Sequence, residues 1–190
     1  MADYDNREQF LELLDLMHEA RTGVGIQIPQ PARVAEIDEL AEELGASELY
    51  ELRPWLHMTA GPILTPDPLL CLVRSRGVIS TLSSMDVLDR APLLLAKKWI
   101  PIASDECGNF YCYPIGSDFG GLTRPVFFVE SPHIDAKIEY VVASSLYAFT
   151  RIELTCAVTG ADYPTTRAEH LELDPEFDWY KAHKKIWELG

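Results

Sequence analysis

At 190 residues, 47% hydrophobic and 24% charged, the chain is long enough to close a core of ordinary globular composition. Its formal net charge of −14 and pI near 4.7 set it against nucleic acid and anionic membranes, whose recognition needs clustered Lys and Arg. No apolar run approaches the roughly 20 residues of a membrane span, and four cysteines are too few for a disulfide scaffold.

The start, "MADYDNREQF", lacks the basic and apolar regions of a signal peptide, so a reducing, cytoplasmic setting is expected. "NREQFLELLDLMHEA" then sets Phe10, Leu13, Leu14 and Met17 at the spacing of a helix with one core-facing stripe. "TGVGIQIPQP" reads as a connector. "ARVAEIDELAEELG" places Val34, Ile37, Leu40 and Leu44 on one helix face and acids on the other, with Gly45 as the stop. Pro54 can begin a helix but not sit inside one, so "RPWLHMTAG" is a short helix ending at Gly61. Residues 1–53 hold 13 acids against 4 arginines, a net of −9, so most of the charge belongs to these first helices.

Beyond them the texture changes. "LLCLVRS" and "GVISTL" read as strands, and "SMDVLDRAPLLLAKK" as a helix interrupted at Pro92 with Ser83 or Ser84 as its cap. "WIPIAS", "NFYCYPIG", "PVFFVES" and "IEYVVA" follow as β-branched and aromatic runs bounded by turn formers. "SSLYAFTRIELTCAV" returns to a serine-capped helix with Phe149, Ile152 and Cys156 on one face. "TGADYPTTRAEHLEL" reads as a polar loop. "DPEFDWYKAHKKIWELG" reads as a last helix, with Asp174 as N-cap, Pro175 at its first position and basic residues toward its end. Helices, then antiparallel strands, then helices, without repeat or linker, argue for one α+β domain over residues 1–190.

The stretch "IPIASDECGNFYCYPIG" carries the sharpest functional question. As a hairpin, "DECGN" is its turn; Phe110, Cys112 and Pro114 share one strand face, and Tyr111, Tyr113 and Ile115 the other. A zinc site wants four ligands in close pairs, and Cys107 and Cys112 have no second pair to join, so no metal or cofactor is expected. A catalytic thiol at Cys107 would need a base, and its nearest neighbours are two acids. G-x-S-x-G, Walker A and G-x-G-x-x-G motifs are absent, and "SDFGG" stands without the rest of a kinase, so no catalytic residue is assigned.

The order of these segments resembles the SUKH superfamily, in the branch of the yeast cell-wall-assembly regulator. The resemblance rests on the helix Ile37–Gly45, the short segment Leu56–Gly61, the hairpin Ile100–Cys112, the strand Pro125–Val129 and the helix start Ala143–Phe149. It covers a core of about residues 30–158, with an N-terminal helix and a C-terminal extension outside it, and Pro54 departs from its pattern. It implies a curved, mostly antiparallel sheet with helices packed on it and a non-enzymatic binding role without shared catalytic residues. Many bacterial members are immunity proteins against polymorphic toxins, often nucleases; fungal members are regulatory adaptors. An acidic immunity protein for a basic, nuclease-type toxin is therefore the leading expectation. An intracellular regulatory adaptor or scaffold is the alternative, and a hydrolase using acids near Asp105, Glu106 and Asp118 is a third. Candidate partner-binding residues are Asp105, Glu106, Asp118 and Glu130, with Tyr111 and Tyr113 on one strand face. Asp105, Gly108 and Asn109 are turn formers first. Tyr180 and Trp187 are expected to dock the last helix to the body, or to a second copy in a homodimer.

Overall fold

The computed structural model describes residues 2–46, 48–59, 84–105, 107–116, 124–130, 135–164, 166–179, 184–185 and 188. Over these the architecture is α+β, as expected: an open antiparallel sheet in the order β1-β2-β3-β4 with helices packed against it. The strands are β1 (Trp99–Ser104), β2 (Phe110–Pro114), β3 (Val126–Glu130) and β4 (Lys137–Ala143). Each pairs with its sequence neighbour, so the sheet is a meander. Pro101 sits in β1, an edge strand among the described residues, where a residue without an N–H is tolerated. The segments "LLCLVRS" and "GVISTL" lie outside the described residues.

The helices are α1 (Ala2–Gly23), α2 (Val34–Glu43), α3 (Leu52–Leu56), α4 (Ser84–Arg90), α5 (Pro92–Ala96), α6 (Leu146–Thr159) and α7 (Arg167–Leu173). Pro92 separates α4 from α5, and Ser84 opens α4 while its hydroxyl donates to the Pro101 carbonyl of β1 at 2.5 Å. Pro54 falls in the first turn of α3, where its missing N–H costs nothing. The core stripe of α1 is Leu13, Met17 and Ala20; Leu14 lies about 100° further round and is 38% exposed, which corrects its place in the expected stripe. Val34 is likewise corrected. Two successive i, i+3 steps rotate it about 120° away from Leu40, and it is 60% exposed while Ile37, Leu40 and Leu44 are buried.

Helix α6 is the centre of the packing. Phe149 meets the Tyr111 ring of β2 at 5.3 Å, Thr150 Oγ1 accepts from Trp55 Nε1 of α3 at 3.1 Å, and Arg151 reaches Glu12 of α1 at 3.0 Å. Its start matches the expected serine cap, with Ser145 Oγ accepting from the Ala148 N–H at 3.0 Å; Gly160 stops it at φ +67, a conformation suited to glycine.

The C-terminal region differs from expectation twice. "TRAEHLEL" is not a loop: Thr166 and Glu169 form a capping box that starts α7. Beyond Asp174 there is no long helix among the described residues, only a 3-10 turn, Phe177–Trp179, and then Lys185 bridging to Val141, whose N–H donates to the Lys184 carbonyl at 2.9 Å. The open edge of β4 offers backbone partners there, and tertiary pairing overrides the local helix signal. Tyr180 and Trp187 lie outside the described residues. No helix among the described residues is long and apolar enough to cross a membrane.

Phe149→Ala should cost about 3–5 kcal/mol in chemical denaturation, because Phe149 is fully buried between α6 and the sheet. Leu14→Ala should cost no more than about 0.5 kcal/mol; equal losses at the two sites would refute the corrected α1 stripe.

Candidate functional site

The hairpin acid Asp105 is occupied by its own turn. Its carboxylate accepts from the N–H groups of Cys107 (2.9 Å) and Asn109 (2.8 Å) and from Asn109 Nδ2 (2.7 Å). Gly108, at φ +88, supplies the left-handed residue the turn needs. Glu130 is exposed at the end of β3, opposite Lys137. Since Val129 pairs with Phe110, Glu130 and Asp105 lie at the same end of the sheet. Glu106 and Asp118 lie outside the described residues.

The two tyrosines share a face but not a role. Tyr111, Phe128 and Tyr140 align across β2, β3 and β4, with ring centroids 5.3 and 5.0 Å apart, as a half-buried aromatic ladder. Tyr113 is fully buried, which corrects its assignment to a binding surface. Its hydroxyl accepts from the Glu51 N–H at 3.3 Å, and burial raises its pKa well above the ordinary tyrosine value. Both faces of β2 are covered, so alternation along the strand did not distinguish a wet face.

Tyr113 leads to a constellation that sequence reasoning missed. Helix α6 begins inside the molecule, and acids from distant segments meet there. Glu51, 5% exposed, accepts from the Leu146 N–H through Oε2 at 3.4 Å. Asp174, 2% exposed, accepts from the Ser144 N–H (2.6 Å) and the Ser144 hydroxyl (2.5 Å). Burial raises the Glu51 pKa to about 7. The Leu146 and Arg124 N–H groups and the Tyr113 hydroxyl pull the other way, and Glu176 adds repulsion. Glu51 Oε1 makes no hydrogen bond of ordinary geometry among the described residues. Burial raises Asp174 too, against the two bonds from Ser144.

Two raised carboxylates beside Ser144, Ser145 and Tyr147 invite an acid–base reading. The adjoining cleft, lined by Asp174 and Glu176 among others, holds about 60 Å³, room for a few waters. Ligand pockets run to roughly 300–1,000 Å³. Glu51 instead satisfies the first N–H of α6, the duty of a capping group, and Asp174 holds Ser144, the residue just before the cap. The local signal for Asp174 was present, because an Asp-Pro step does start a 3-10 turn; that its carboxylate also reaches Ser144, thirty positions away, was not readable.

His170 of α7 is fully buried, and burial lowers its pKa to about 4 against carbonyls of Val142 and Pro164. Among the described residues three cysteines are free thiols, Cys107 exposed and Cys112 and Cys156 buried, and burial raises the Cys112 pKa far above the ordinary thiol. Among the described residues no group of three or more His, Cys, Asp or Glu is arranged to hold a metal ion. No family model matches the chain, and neither a curated protein nor a solved structure matches it.

The buried Glu51 predicts a pH signature. As pH rises from 4.5, the unfolded chain releases this proton while the folded chain keeps it to about 7, so the site's contribution to stability is lost over that window. Glu51→Gln removes the loss. The variant should match the wild type below pH 4.5 and exceed it above pH 7 by up to about 3 kcal/mol in urea denaturation. Parallel profiles at all pH values would show that the carboxylate is not held protonated. His170 acts in the opposite sense: stability falls as pH drops from 6.5 through 4, and it does so in both proteins.

Proposed function

We propose that this chain is a non-enzymatic protein-binding module, an immunity protein that neutralises a basic, nuclease-type polymorphic toxin. The observation that carries the reading is the placement of the charge. Asp15 and Glu19 on α1 and Asp38, Glu39 and Glu42 on α2 are all exposed, on the segment that holds −9 of the net −14. An extended negative surface steers a cationic partner to it and competes with the phosphates that a nuclease grips. The order of motifs that resembles the SUKH superfamily supports the same reading. The engagement of Glu51 with the first N–H of α6 and of Asp174 with Ser144 favours binding over hydrolysis, since groups so held are poorly placed to trade protons with a substrate.

Affinity capture from the native host's lysate, at low and at high salt, tests the proposal. The expected result is a basic nuclease that is retained at low salt, released at high salt and inhibited by an equimolar amount of the chain. Recovery only of a neutral or acidic regulatory protein, insensitive to salt, would transfer the assignment to an intracellular adaptor.

A further inference from the structure

A groove of about 500 Å³ runs between the second half of α6, residues 161–164 and α7, within the size range of ligand sites. Its apolar floor includes Cys156, Pro164 and Leu173 and the ring of Tyr163. Its rim carries Asp162, Glu169 and Glu172, all exposed, and no Lys or Arg lines it. Glu169 serves the α7 capping box by accepting from the Thr166 N–H at 3.2 Å. The carboxylates of Asp162 and Glu172 make neither an ion pair nor a hydrogen bond among the described residues.

The negative field extends beneath the rim. Glu153 is 1% exposed behind the floor. The Cys156 thiol is raised to about 11, by burial first and then by Glu153 and Asp162, so it stays protonated and unreactive. Tyr163 is raised by burial and by Glu153 in the same direction. An anion would be repelled from such a groove, and a neutral ligand would leave the rim carboxylates without a counter-charge.

We propose that this groove seats an arginine-bearing segment of a basic protein partner. The inference rests on the reading that the chain binds such a partner, and adds where and through what chemistry. Arginine fits better than lysine for three reasons. Its apolar stem can lie on Leu173 and Pro164, its planar fork can pair with a rim carboxylate through two hydrogen bonds, and its guanidinium can stack on Tyr163.

The test is a titration of the capped peptide Gly-Gly-Arg-Gly-Gly into the full chain at low salt, followed through backbone amide shifts. Saturable shifts confined to residues 155–173 are expected. The double variant Asp162→Asn, Glu172→Gln should bind at least about tenfold more weakly, and the citrulline peptide should not bind. Both substitutions are at exposed positions outside the capping box, and unchanged amide shifts elsewhere would verify that the variant folds. Shifts on α1 and α2 instead would overturn the groove while leaving the basic-partner reading standing. Equal binding of a lysine peptide, or no saturable shift anywhere, would also overturn the groove, and the salt-dependent capture would then decide the partner reading by itself.

Discussion

The amino terminus of α6 lies inside the molecule, where its N–H groups cannot turn to water. Every helix start leaves such donors, and here two acceptors of different origin meet them: Ser145 supplies the local cap, and Glu51 comes from the end of the N-terminal helical region. Asp174, from beyond α7, holds Ser144, the residue just before the cap. One helix end therefore ties together three regions of the chain that are remote in sequence. The cost of the arrangement is desolvation, visible in the raised pKa values of both carboxylates.

The rest of the molecule is organised around that anchor. With its start fixed, α6 lays Phe149 on the aromatic ladder of the sheet and Arg151 on α1. Asp174 holds the end of α7 near the start of α6, and the acid-rimmed groove lies between α7 and the second half of α6. The outer faces of α1 and α2 remain as an exposed acidic surface. The proposed binding role uses these two features in sequence: long-range steering by the acidic surface, then short-range recognition in a groove with an apolar floor.

What could be read in the sequence was what local chemistry decides. Ser145 as a cap, Gly45 in left-handed backbone, the split at Pro92, the turn made by Asp105, Gly108 and Asn109, and the four segments that form strands all follow from short-range rules. The α7 start was readable as well, since Thr166 and Glu169 have capping-box spacing, but the surrounding Gly, Pro and Thr suggested a loop. What could not be read depends on partners distant in sequence. The buried Tyr113 hydroxyl meets Glu51, sixty-two positions away, and Lys184 and Lys185 pair with the edge of β4 at Val141. Leu14 and Val34 failed for a simpler reason: both lie near the apolar stripe on a helical wheel, and only the packed neighbours fix its border. The hairpin acids were the obvious surface candidates, whereas the rim acids Asp162 and Glu172 drew no notice because nothing local distinguishes them from solvated charge.

The most direct test of this account is native-state hydrogen exchange on Asp174→Ala. If the α6 anchor joins the C-terminal region to the body, exchange at Ser144 and throughout α7 should accelerate together, while the amides of Phe149–Leu154, held by the sheet and α1, keep their protection. Protection at Ser144 and α7 that survives the substitution would contradict the claim that this buried carboxylate holds them in place.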